Sequence, residues 1–428
     1  VRSPGTATDV LAHITEGTDL IVTLGPGEPV TVLDVIEEAG REGNLRNVRV
    51  HQMLPFRERP HHHGKIPGLR HVSYFLAAFL REPFEAGHVD LVPNDYSMVP
   101  GTMRRTTTDP LVLIATSLPD VDGWLSMGTN GDYCASLLGE ARVFAEATPN
   151  MPHTLGDHRI HIDEVVGWCR TDMALPESLT LEPNDADLTI SALVAERIPN
   201  GATLQIGIGN VPNAVCAHLS DHRHLGVHTE LMAEGLFGLV ASGVADGSRK
   251  TVDPGLAVAT SILGDTALYR ALDHHPMVRV RPVDSTNAFA NIVAQHNMVA
   301  VNSTMEVDLL GQCASESLGT HYISSSGGQA DFVRATFEVP GGQGFIVTRA
   351  TAHDAATGEV VSRIVPTLRP GAVVTAHKNR VDKIVTEFGV AELRDRTVAE
   401  RVRALIAIAA PEHRDDLTVA ARSLGYVH

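Results

Sequence analysis

Three short stretches near the start of the chain constrain its fold more than any other feature. DLIVTL (19–24) is apolar and β-rich, VTVLDVIEEA (30–39) spaces its apolar residues as a helix does, and NVRVHQML (47–54) returns to a strand-like pattern. A glycine turn separates the first two. Strand, turn, helix and strand again is the unit of a mostly parallel α/β sheet, because parallel neighbours need a crossover of helical length between them. The rhythm recurs in the second half, and 428 residues are long for one domain. The pattern predicts two related open α/β domains with mostly parallel sheets. TDMALPESLTLEPNDAD (171–187), with two prolines and several turn formers, is the expected linker, giving domains at 1–180 and 185–428. An amphipathic stretch follows at 188–198, and TVAERVRALIAIA (397–409) reads as a helix opened by Thr397 with Glu400 three residues on as a capping box.

The two halves also resemble each other. DLIVTLGPGEPVTVLDVI (19–36) overlays ATLQIGIGNVPNAVCAHL (202–219), with Gly25-Pro26-Gly27 on Gly207-Ile208-Gly209. Downstream, VRVHQML (48–54) matches GVHTELM (226–232), with His51 on His228. The repeat is asymmetric. Glu230 stands where the first copy has Met53, or Gln52 if the register slips by one, so a reactive carboxylate at this place belongs to the second half alone.

Composition narrows the function classes. Hydrophobic residues make up 43% of the chain and charged residues 20%, the balance of a globular protein with sizeable cores. A net charge of −17 repels a phosphate backbone, which argues against general nucleic-acid binding. No apolar run is long enough to span a membrane, and VRSPGTATDV at the start lacks the order of a signal peptide, so a cytoplasmic location is expected. The four cysteines are widely spaced with no C-x-x-C pair and read as buried reduced thiols. His61-His62-His63 reads as a polar loop and no metal site is assigned, since adjacent histidines on an extended loop point in different directions.

Two glycine-rich turns are the candidates for close approach to a ligand. GIGNVPNA (207–214) follows a strand and opens a helix whose first N–H groups can face an anion or a developing oxyanion. It lacks the third glycine of a dinucleotide fingerprint. ISSSGGQADFVR (323–334) is the second, read either as a loop of N–H donors or as a plain turn. Among carboxylates in semi-apolar context (Glu230, Asp284, Glu306, Asp308 and Asp331), Glu230 stands out. It ends an apolar strand, and ligands of doubly wound sheets collect outside the carboxyl ends of strands.

Taken in order, the stretches RVFAEATPNMPHTLGDHRIHIDEV (142–165), LQIGIGNVPNAV (204–215), LGVHTELM (225–232), MVAVNSTMEVDLLGQ (298–312), SGGQADFVR (326–334) and SRIVPTLRPGAVVT (362–375) resemble the acetyl-CoA hydrolase/transferase family. The closest pattern is that of the butyrate/4-hydroxybutyrate-type class I CoA-transferases. TEFGVAELRDRTVAERVRALIAIAAPEHRDDL (386–417) extends the match toward the C-terminus. The resemblance implies ping-pong transfer of coenzyme A, as substrate and with no further cofactor, between an acyl-CoA and a small carboxylic acid. It places the nucleophile at Glu230 and oxyanion donors at Ile208 and Gly327. CoA contacts fall on Gly207, Ile208, Gly209, Asn210, Val211, Asn287, Asn302 and Gly328. It also implies a homodimer or larger assembly, with the C-terminal half holding CoA and the N-terminal half covering the acyl group. The chain departs from the family pattern at Met98, where an acidic residue is usual, and at Ser324-Ser325-Ser326, where the loop usually reads SGxGG. Arg57 and Arg59, in FRERPHHHGKIPGLRHVSYF (56–75), are candidates to meet the second carboxylate of a diacid. Two other readings stand beside transfer: an acyl-CoA hydrolase using the same glutamate, and a non-catalytic CoA-binding protein.

Overall fold

A computed structural model describes residues 3–178, 182–354 and 357–428. The chain forms two compact units, Val1–Leu179 with Val258–Ala288 and Thr180–Ala257 with Phe289–His428. The first unit thus takes in a segment from the middle of the chain. Residues 179–181, inside the expected linker, lie outside the described residues.

The first unit is built on seven strands: β1 (Asp19–Val22), β2 (Val48–Gln52), β3 (Leu69–Ser73), β4 (Val89–Leu91), β5 (Pro110–Thr116), β6 (Arg142–Ala147) and β7 (Gly167–Arg170). They lie in the order β4-β3-β2-β1-β5-β6-β7, every pair parallel. Helix α1 (Val30–Arg41) crosses from β1 to β2 and buries Val32, Leu33 and Ile36 with Leu20, Val22, Leu111 and Leu113. The intervening strand residues Ile21, Val112 and Ile114 join a separate core. Both faces of the sheet are covered, which is why its strands read as unbroken apolar runs.

The second unit repeats this plan. Helix α2 (Asp185–Ala195) leads to β8 (Thr203–Ile206), α3 (Asn210–His218) and β9 (Gly226–Met232). There follow β10 (Met298–Ser303), α4 (Gln329–Glu338), β11 (Gln343–Val347), β12 (Lys383–Thr386), β13 (Gly389–Glu392) and α5 (Val398–Ile408). Within the unit the strand order is β9-β8-β10-β11-β12-β13, parallel throughout except for β13. Helix α2 starts within the stretch read as linker, because Asn184 accepts the Asp187 N–H at 3.0 Å and caps it. Thr397 and Glu400 form the capping box of α5.

All four cysteines are buried free thiols. Among the described residues no helix is long and apolar enough to cross a membrane. The polar-loop reading of His61-His62-His63 needs correction: Pro60–His63 is a 3-10 turn, and His61 and His62 are buried. The argument from an extended loop does not apply to a turn that rotates each residue about 120° from the last.

Candidate active site

In the second unit the chain leaves β8 for one side of the sheet and β10 for the other, so a crevice opens beyond the carboxyl ends of these two strands. The turn Gly207–Gly209 sits there. Gly207 donates its N–H to Val301 O at 3.1 Å, carrying the sheet one step past β8. Gly209 adopts φ 119° and ψ −176°, a conformation only glycine takes without strain, and it serves as the N-cap of α3. Ile208 is 51% exposed. Among the described residues its N–H has no partner, nor has that of Gly209. The first N–H groups of α3 add to these donors, as at any helix start.

Strand β9 runs beside this turn. It pairs with β8 as Thr203 with Gly226 and Leu204 with Val227, and Glu230 lies three residues beyond the last pair on β9 as Gly207 does on the β8 side. Glu230 is half-buried at the carboxyl end of the strand, next to buried Thr229. Below it, Lys250 reaches under Gly226 and donates to Val227 O at 3.0 Å and Leu256 O at 2.7 Å. A side chain on Gly226 would collide with the Lys250 stem at 2.4 Å, so this close passage needs glycine. His228 is buried, its Nδ1 3.4 Å from Gln295 Nε2. The strand carrying the glutamate is thereby anchored from beneath.

The second glycine loop precedes α4. Gly327 has φ 54°, and Gly328 is the N-cap of α4. The N–H groups of both have no partner among the described residues. Backbone bonds from Ile323 and Ser324 to Glu316 O, at 2.7 and 3.1 Å, hold the loop in place. Ser324 Oγ also donates to Ser315 O at 3.2 Å.

A cavity of about 340 Å³ lies at the same edge of the sheet, lined by Ile208 to Pro212, Ser303 to Met305, Ser315, Val347 to Arg349, Arg363 and Asp187. Two arginines make it cationic. Arg349 grips Asp187 through two hydrogen bonds of 2.9 and 2.8 Å. Burial works to raise the Asp187 pKa, but the bonds from Arg349 and the Asn184 N–H outweigh it and hold the carboxyl below its usual value. Arg363 donates to Thr348 Oγ1 at 3.2 Å and has no carboxylate partner among the described residues. Burial, then the neighbouring Arg349 charge, lowers its pKa. Such a guanidinium favours an anionic ligand, which would relieve both effects.

The structure thus brings Ile208, Gly209, Asn210 and Val211 to one cavity, with Gly207 at its edge and Glu230 on the adjacent strand. Asn302 makes a reciprocal amide pair with Gln205 at 3.0 and 3.4 Å. Gly327 and Gly328 do not line the cavity, although their loop is tied to Ser315, which does. Asn287 belongs to the first unit and is buried at the end of the Val283–Thr286 helix. Arg349 and Arg363 were missed by sequence reasoning, although Arg363 lies within the quoted SRIVP stretch. A basic residue just past a strand end was the available signal.

Other carboxylates singled out in the sequence have structural partners. Glu306 accepts from Arg369 Nε at 3.1 Å, Asp308 closes a turn with Leu310 and Gln312, and Asp284 accepts from Ser136 Oγ at 2.7 Å. The first copy of the glycine turn is filled: the Phe56 ring occupies the space a Cβ on Gly25 would take, and the Asn130 amide does so at Gly27. Arg59 corrects an expectation. It is 5% exposed and donates to Glu28 at 2.9 Å and Asp34 at 2.8 Å, so it is not available to a substrate. Arg57 is half-buried and has only a 3.4 Å bond to Ala174 O. Met98, in the place of the usual acid, is 56% exposed.

Comparison with known proteins identifies the family. Residues 4–179 match the acetyl-CoA hydrolase/transferase N-terminal domain and residues 264–421 the corresponding C-terminal domain. The chain is 37% identical to succinyl-CoA:cyclohexane-1-carboxylate CoA transferase of Geobacter metallireducens, over 98% of this chain and 95% of that one. It is 35% identical to 4-hydroxybutyrate coenzyme A transferase of Clostridium kluyveri, over 96% and 95%. The crystal structure of RipA from Yersinia pestis superposes with a TM-score of 0.93 at 31% identity, covering 99% of this chain and 98% of that one.

Proposed function

Because the chain belongs to the acetyl-CoA hydrolase/transferase family and is a CoA-transferase, we propose that it moves coenzyme A from an acyl-CoA to a free carboxylic acid through a thioester on Glu230. A Glu230 oxygen attacks the thioester carbonyl. The C–S bond breaks, leaving an acyl–glutamyl anhydride and CoA thiolate. The thiolate then attacks the glutamyl carbonyl, the donor acid departs as its carboxylate, and glutamyl-CoA remains. An acceptor carboxylate runs the same steps in reverse.

Each attack passes through a tetrahedral oxyanion. The N–H groups of Ile208 and Gly327 are the donors in this reading, and one such donor is worth about 3 to 4 kcal/mol to the transition state. Coenzyme A carries phosphate groups. The cavity beside the turn offers them Arg363, Arg349, Ile208 to Val211 and the start of α3, and we assign Gly207, Asn302 and Gly328, outside its lining, to the pantetheine. Remote binding energy of this kind can be used at the reacting carbonyl. The acyl group is a short-chain, hydroxy or dicarboxylic one, and the working form is a homodimer or larger.

What carries the proposal is that β9, which holds Glu230 near its carboxyl end, pairs with β8, whose end leads into the turn where the Ile208 N–H has no partner among the described residues. Intact-mass measurement after brief incubation with butyryl-CoA or succinyl-CoA tests it. A gain equal to CoA minus water, absent in Glu230→Gln, is the expected result. No adduct together with no acceptor-dependent turnover would refute the mechanism. The exposure of Ile208 also favours a second reading, hydrolysis by water at the same intermediate, which acyl-CoA consumption without any acceptor acid would reveal.

A further inference from the structure

Away from the proposed active site, three histidines of the first unit converge. His61 and His62 come from the 3-10 turn after β2 and His71 from the middle of β3. Each offers a ring nitrogen within 4.8 Å of the others, and their ring centroids are 4.3, 4.5 and 5.4 Å apart. All three are buried, His71 and His62 with no exposed surface. Among the described residues, Nε2 of His61, Nε2 of His62 and both nitrogens of His71 have no hydrogen-bond partner. A buried polar atom left unpaired costs about 1 to 3 kcal/mol, so four in one place call for a ligand.

We propose that His61, His62 and His71 form a binding site for a divalent transition-metal ion of the zinc type. The surroundings match what imidazole ligands need. His61 donates Nδ1–H to Glu37 Oε1 at 2.8 Å, which leaves the lone pair on Nε2, the atom facing the cluster. A carboxylate behind a histidine is the usual outer support of a metal ligand. Neutral His71 has one free lone pair whichever nitrogen holds its proton. His62 accepts the Arg59 N–H on Nδ1 at 3.1 Å, which puts its proton on Nε2. Binding the ion on Nε2 moves that proton to Nδ1, so the ring stays neutral and gives up the Arg59 N–H bond. The charge nearby suits a cation, since the three carboxylates Glu28, Asp34 and Glu37 outnumber the guanidinium groups of Arg59 and Arg41 that pair with them. Closing the nitrogens onto one ion at about 2.0–2.1 Å needs only side-chain adjustment, with a fourth position left for water.

The test uses the whole chain, treated with chelator, loaded with Zn²⁺ or Co²⁺ and passed through gel filtration. One retained ion per chain by elemental mass spectrometry, the visible spectrum of a nitrogen-bound tetrahedral Co²⁺, and a higher melting temperature with Zn²⁺ are expected. His71→Leu should abolish all three. Glu37→Gln should weaken binding about 10- to 100-fold. His63→Ala should change nothing, since His63 is partly exposed and bonded to Glu58 instead. Retention that is absent, or equal in His71→Leu and wild type, overturns the proposal. Should His71→Leu fail to fold, the wild-type stoichiometry and Co²⁺ spectrum decide, a weak octahedral spectrum counting against it.

Discussion

Replacing Arg59 by methionine separates a structural arginine from a substrate-binding one. Its guanidinium bonds to Glu28 at 2.9 Å, Asp34 at 2.8 Å and Val30 O at 3.2 Å, with Glu37 at 3.6 Å. The Asp34 side chain is 64% exposed, so water takes over that contact at little loss. Glu28 and Glu37 are different, because their side chains are only 2% and 5% exposed. Methionine fills the aliphatic volume but leaves Glu28 without its guanidinium, while Glu37 keeps Arg41 at 3.9 Å. Removing one partner of a buried ion pair costs about 3 to 5 kcal/mol. Glu37 keeps its bond to His61, so the lower half of that range is expected. Urea unfolding followed by fluorescence and circular dichroism gives the value, read from the transition that Arg59→Met shifts, since two units need not unfold together. The KM for succinyl-CoA, at a temperature where the variant is folded, should stay at the wild-type value. Unchanged stability with a selective rise in that KM would refute the reasoning and return Arg59 to the substrate.

Further outcomes follow from the same geometry. Arg57→Ala should raise KM for dicarboxylic substrates and leave monocarboxylic ones unchanged, because Arg57 has no carboxylate partner; parallel kinetics on succinyl-CoA and butyryl-CoA check this. Arg363→Met should weaken CoA binding by about 10- to 100-fold, the loss of one charge-assisted hydrogen bond, measured by calorimetry at fixed salt. Gly209→Ala forces an L side chain into φ 119° and should lower turnover well before it lowers the melting temperature, as paired assays would show. Asp19 is held at a pKa of about 2: burial works to raise it, but bonds from His51, Arg49 and the Thr108 N–H lower it. A depressed carboxylate contributes stability above its unfolded pKa near 3.8 and loses it as pH falls toward 2. Asp19→Asn should therefore flatten the stability profile between pH 4 and 2 in acid titrations.

Much of this protein is legible without coordinates because it is encoded within a few consecutive residues. Alternating apolar periods name the strands and helices, and Thr397 with Glu400 names a helix start from four residues. Gly209 and Gly327 sit at positive φ, a backbone demand that a glycine in a turn announces by itself. Glu230 at the end of β9 was readable for the same local reason. Its place near the Gly207 turn was not, since that depends on β9 pairing with β8. Long-range ion pairs and hydrogen bonds carry no local signature either. Asp187 and Arg349 are 162 residues apart, and Ser136 and Asp284 are 148 apart. Neighbouring arginines divide on that ground alone: Arg59 meets three carboxylates and Arg57 none. The histidines show the same limit, because His61 and His62 are adjacent in sequence but His71 reaches them only through the pairing of β2 with β3. Sequence by itself determined the elements, the turns and the family chemistry, since those follow from backbone preference and short-range pattern. Only the tertiary structure decided which charges are free, which are paired and which imidazoles share a site, because desolvation and contact act between groups that the fold alone brings together.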